Sequence, residues 1–107
     1  MSVPRGFTGY PKINAAVAEV TRELSPWVRH IRYSIEPDWS GEWGLFFRVL
    51  LSDEAARQPK LRTVTSDVIS KMSERLDLPN LELFPHFDFR SESEQAELNE
   101  PEWAAIA

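Results

Sequence analysis

The sequence has no cysteine among its 107 residues. Disulfides, thiolate nucleophiles and every cysteine-ligated zinc site are thereby excluded. No apolar run approaches the ~20 residues that span a bilayer, and Met1-Ser2-Val3-Pro4-Arg5 opens no hydrophobic leader, so a cytoplasmic chain is expected. Phosphate-binding glycine loops of the Walker or Rossmann kind are missing, as is a G-x-S-x-G nucleophile elbow. The carboxylate pairs Glu36/Asp38 and Asp53/Glu54 fall on loop or cap positions, where solvated acids make poor proton donors. The only histidines, His30 and His86, lie on two distant segments, and nothing in their spacing forces convergence with Glu82 or Asp88 on one ion. A non-enzymatic chain is expected, with no catalytic residue, no metal ligands and no cofactor.

Cationic excess is also lacking. The formal charge is −5, but residues 1–90 balance 12 acidic against 12 basic side chains. The whole excess sits in Glu92, Glu94, Glu97, Glu100 and Glu102, at an end without Lys or Arg. A neutral body without clustered cations is a poor polyanion binder, so tight nucleic-acid binding is not expected. The acidic end reads as a solvated segment or as a device that steers encounter with a basic protein surface.

What is present is ordinary globular material, 42% hydrophobic, enough for one small domain. Residues 1–11, with Pro4, Gly6, Gly9 and Pro11, read as an irregular arm, residues 12–90 as a single α+β domain, and residues 91–107 as an acidic tail. Ile13, Ala16, Val17, Val20 and Leu24 form a helical stripe that Pro26 ends. Ile31, Tyr33 and Ile35 alternate with polar residues, as do Leu45, Phe47, Val49 and Leu51 with Phe46, Arg48 and Leu50, which predicts two strands. Asp53 is a candidate cap for a turn, and a second helix follows Pro59 with Leu61, Val64, Val68, Met72 and Leu76 inward. Pro79 breaks it, and residues 81–89 predict a third strand with Leu81, Leu83, Phe87 and Phe89 inward. Pro85 makes that strand an edge. Ser91-x-x-Glu94 is a capping box for a short final helix that could pack back.

The predicted order is αββαβ, a three-stranded sheet with two helices packed on one face. The second face then carries His30, Arg32, Ser34, Phe46, Arg48, Leu50, Glu82, Phe84, His86 and Asp88. Phe46, Leu50 and Phe84 within that polar surround have the composition of a contact surface, unless the tail with Leu98, Trp103 and Ile106 covers them.

The αββαβ order resembles type II KH and KH-like domains, which implies RNA binding through a basic G-x-x-G loop between two helices. Here Gly41-Glu42-Trp43-Gly44 is acidic and aromatic and falls between two strands, while Gly6-Phe7-Thr8-Gly9 carries no charge. The resemblance is one of topology, and the functional residues do not carry over. A second resemblance is carried by Asp38-Trp39-Ser40-Gly41-Glu42 together with Leu45-Phe46-Phe47-Arg48-Val49 and Phe89-Arg90-Ser91. It is similar to small bacterial α+β proteins encoded beside HEPN-domain proteins, a superfamily that includes ribonuclease toxins. That resemblance covers roughly residues 30–95 and implies an antitoxin-like partner in a toxin–antitoxin pair.

The loop also has a reading of its own. Asp38 can accept from backbone donors across the turn and Gly41 can supply a positive φ. Two tryptophans exceed what closing a hairpin needs. Trp43, beside the strand, is expected to pack, and Trp39 to anchor a partner. The expectation is a protein-binding module using Asp38, Trp39, Trp43, Phe46, Arg48, Leu50, Phe84 and His86, with another protein or a second copy of itself as partner.

Overall fold

The apolar stripes fold onto one another in the computed structural model, which describes residues 9–104. Residues 1–8 of the expected arm, and Ile106 of the tail, lie outside the described residues. Helix α1 (Tyr10–Glu23) buries Ile13, Ala16 and Val20. It starts two residues before the expected boundary, because Pro11 occupies its first turn, where a fixed φ and a missing N–H are no handicap.

Strands β1 (Val28–Pro37) and β2 (Trp43–Leu51) pair antiparallel, with Tyr33 opposite Phe47 and Ser34 opposite Phe46. A register shift between Val28 and His30 lets both Val28 and Ile31 reach the core from one strand. Strand β3 (Phe84–Ser91) pairs parallel to β2, setting His86 beside Phe46 and Arg90 beside Leu50, and completes a mixed sheet in the order β1-β2-β3. Pro85 accordingly lies on an edge strand.

Between β2 and β3, Ser52 rather than Asp53 caps the first turn, its Oγ accepting from the Ala55 N–H at 3.1 Å. Helix α2 (Lys60–Arg75) buries Val64, Val68 and Met72. Lys71 and Arg75 tie it to Glu23 and Glu19 of α1, pairs at the surface that add little stability.

The expected start of the third strand is corrected. Residues Leu78–Leu81 form a short helix α3, capped by Asp77, whose Oδ1 accepts from the Asn80 N–H at 3.3 Å. Glu82 then adopts a left-handed backbone with φ 60°, so Leu81 and Leu83 are buried without being in a strand, and Glu82 leaves the sheet's second face. One core cluster joins α1, α2 and α3 to the inner face of the sheet, with Phe47, Leu45, Val49, Val68 and Met72 fully buried.

The C-terminal segment is folded. Ser91 and Glu94 complete both halves of the capping box of α4 (Glu92–Leu98), and a 3-10 turn at Pro101–Trp103 packs on β2. Among the described residues no helix is long and apolar enough to cross a membrane.

Candidate functional site

The sheet's second face divides into two halves, and the folded tail decides the division. At one end Trp103 is buried, with the Arg90 guanidinium 4.3 Å above its ring. Arg90 also bonds Gln95 and pairs with Glu100 at 2.7 Å. His30 Nε2 donates to the Trp103 carbonyl at 2.6 Å, and Arg32 donates to the carbonyl of Pro101 at 2.6 Å. Beneath this strap Leu50 is only 8% exposed. Leu50 is therefore a buried residue and no part of an accessible partner surface, a correction to its expected role.

The tail's charge is largely committed as well. Glu92 pairs with Arg29 at 2.6 Å, Glu94 closes the capping box and Glu100 meets Arg90. Asp53 holds the start of α4 by accepting from the Ser93 N–H and hydroxyl at 2.9 and 2.6 Å. Those two donors, the hydroxyl first, hold the Asp53 carboxyl below its ordinary range. A free acidic arm that steers encounter does not describe this segment.

The other half, toward the β1–β2 loop, is left open by the strap. Phe46 and His86 stack with ring centroids 4.3 Å apart and planes 9° from parallel. Gly44 makes the stack possible, since a Cβ there would come within 2.7 Å of Phe46 Cε2 and 3.0 Å of His86 Cδ2. Phe84, paired with Gly44 across the sheet, is 56% exposed. Arg48 is held on the same face by Ser34 Oγ at 3.0 Å and the Glu36 carboxylate at 3.5 Å. The Ser34 hydroxyl first, then Arg48, keeps the Glu36 carboxyl below its ordinary value.

The loop that bounds this half has a fixed shape. Asp38 Oδ1 accepts from the Ser40 N–H at 2.9 Å, the Ser40 hydroxyl at 2.6 Å and the Glu42 N–H at 3.1 Å. The Asp38 N–H donates to the Glu42 carbonyl at 2.7 Å, and Gly41 supplies the φ of 85° that closes the turn. The Ser40 hydroxyl above all, then the two backbone N–H groups, holds the Asp38 carboxyl below its ordinary range. Asp38 Oδ2 lies 3.9 Å from His86 Nε2, which joins the loop to the Phe46–His86 stack.

At the tip of this loop Trp39 is 97% exposed. Trp43 is half-buried and packs against the core, as expected from its place beside the strand. Of the eight expected residues, the structure gathers Asp38, Trp39, Trp43, Phe46, Phe84 and His86 at one end of the sheet. Arg48 lies on the same face, tied to β1, and Leu50 lies under the tail. Sequence reasoning missed Leu76, Leu78 and Leu83, which line a groove beside the loop. The spacing of Leu76 and Leu83 signals core burial, which both have. Leu78 falls in the expected break after the second helix, so no pattern betrays the place of the three in the groove.

Gly41-Glu42-Trp43-Gly44 belongs to the β1–β2 hairpin and presents no cation. Among the described residues no group of three His, Cys, Asp or Glu side chains comes together as a metal-binding set. Family models, curated proteins and solved structures yield no match to this chain.

Proposed function

We propose that this chain is a cytoplasmic protein-binding module that presents Trp39 as its anchor, with the open half of the sheet's second face as the surrounding contact area. The observation that carries the reading is the 97% exposure of Trp39 on a loop whose backbone is fixed by five hydrogen bonds to and from Asp38 and Gly41. An indole buries roughly 150–250 Å² of surface. At ~25 cal/mol per Å², leaving it in water forgoes about 4–6 kcal/mol of gross burial energy. A preorganised loop loses little entropy on docking, so much of that energy remains for affinity. Phe84 and the Phe46–His86 stack supply apolar and aromatic contact around the anchor.

The class of partner comes from the resemblance of the Asp38–Glu42 loop and the Leu45-to-Val49 strand to proteins encoded beside HEPN-domain proteins. On that basis the partner is a HEPN-type ribonuclease, and the chain acts as its antitoxin-like binder. The test is coexpression with the product of the adjacent gene, followed by purification through a tag on one chain. A stoichiometric complex that protects cells from the second protein is expected. Two proteins that purify separately, or a chain that forms only homo-oligomers, would contradict the reading.

A further inference from the structure

The five hydrogen bonds that shape the Trp39 loop all run within residues 38–42, so they fix its form but do not tie it to β3. The ion-pair contact that reaches from the loop to β3 is unfinished. Asp38 Oδ1 accepts all three bonds to this carboxylate, which leaves Oδ2 with no donor among the described residues. Facing it at 3.9 Å, His86 Nε2 is buried and has no hydrogen-bond partner. That separation is too long for a hydrogen bond, and a buried polar atom without one is costly. The Phe46 stack and the close approach of Gly44 hold the ring in this orientation.

We propose that His86 is a positioning residue that latches the Trp39 loop to β3 when its ring takes up a proton. A neutral imidazole offers Oδ2 no charge, whichever nitrogen carries the hydrogen. Protonation sets an N–H and a positive charge at Nε2, in front of an acceptor without another donor. A charge-assisted bond of about 2.8 Å then forms, so the loop closes by about 1 Å and carries Trp39 with it. The proton comes from water, and no other group changes charge. The inference rests on the protein-binding reading above and names the regulation of that site. The grip on a partner tightens as pH falls from about 8 to 5, the interval in which imidazoles charge.

The other charged groups near the ring leave this pairing intact. Asp88, two residues along β3, is exposed, as are Glu42 in the loop and Glu82 ahead of β3. Arg48, diagonal to the ring on β2, is held by Ser34 and by the Glu36 carboxylate of β1. His30 lies at the other end of the face, bonded to the Trp103 carbonyl. Loop and strand keep their own hydrogen bonds when the latch opens, so its effect is read in the loop and hardly at all in unfolding.

The test is amide hydrogen exchange of the free, full chain, followed by NMR at about pH 7.5 and 5.5 and expressed as protection, so that the intrinsic effect of pH cancels. The Asp38 and Gly41 N–H groups, which close the turn, should be at least about threefold better protected at the lower pH. His86→Gln should abolish the rise. So should Asp38→Asn, which keeps an Oδ1 acceptor for the loop but loses the charge, and this variant decides the matter if His86→Gln does not fold. Equal protection at both pH values, or an undiminished rise in Asp38→Asn, would overturn the proposal. No partner is needed for this measurement, so the two readings fail separately. If Trp39→Ala weakens the partner complex while loop protection ignores pH, the latch fails and the protein-binding module stands. If protection follows pH while Trp39→Ala leaves the complex unchanged, the latch stands and the anchor role fails.

Discussion

Single side chains at the loop end of the sheet have separable duties. Asp38 gives the loop its shape, Gly41 its reversal, and Trp39 is left with no structural task, being 97% exposed. The first two duties were legible, because an Asp two to four residues before unpaired N–H groups and a glycine needing positive φ are local chemistry. Gly44 was not legible as a packing residue. Its role depends on Phe46 and His86 approaching from two strands, and the proximity of β3 to β2 is a tertiary fact. Gly44→Ala is expected to destabilise the fold by about 1–3 kcal/mol, because the new methyl must displace a stacked ring. Urea denaturation of the variant checks this. An unchanged midpoint would mean that the stack shifts freely and does not shape the site.

At the scale of elements, the alternating strands β1 and β2 and the stripes of α1 and α2 were readable, since side-chain periods of 2 and 3.6 are written in the residues themselves. Two misreadings share one cause: Pro11 and Pro79 look like interruptions, yet each sits in the first turn of a helix, where proline is favoured. Leu81-Glu82-Leu83-Phe84 alternates like a strand, but Asp77 caps a helical turn before it and Glu82 turns left-handed. The tail's packing was only half legible. The capping box announces α4, whereas the seat of Trp103 depends on His30, Arg32 and Arg90, from 13 to 73 residues away. Trp103→Ala is expected to cost about 3 kcal/mol or more, as for other large buried aromatics, and to expose Leu50. Thermal unfolding checks it, with increased binding of a hydrophobic dye at the exposed face. Ser91→Ala removes a cap and should cost about 1 kcal/mol. A Trp103→Ala protein as stable as the parent would show that the strap is not part of the folded unit.

Across the described residues, half of the chain's twelve basic side chains are committed to partners within the fold. Arg29, Arg48, Lys71, Arg75 and Arg90 all sit in ion pairs, and Arg32 is bound to backbone carbonyls. No submicromolar affinity for single-stranded RNA at physiological salt is expected, since counterion release needs clustered cations and residues 1–90 balance acid against base. A filter-binding titration decides it. The acidic groups set the pH response. Glu23, Glu36, Asp38 and Asp53 all have their pKa lowered in the fold, by hydrogen bonds led by Lys71, Ser34, Ser40 and Ser93 respectively. A carboxyl lowered by folding binds a proton less readily folded than unfolded. Its contribution is full above the unfolded value of about 4 and is lost as pH falls through the folded value. Stability should therefore be level near neutrality and decline below about pH 4, and a chain that gained stability on acidification would contradict these bonds. The central claim concerns Trp39, and the most direct measurement is the dissociation rate of the partner complex for the native chain and Trp39→Ala at two ionic strengths. The expected result is a variant that unfolds at the native temperature and dissociates at least about tenfold faster at both salt concentrations. A folded Trp39→Ala chain with an unchanged dissociation rate would contradict it.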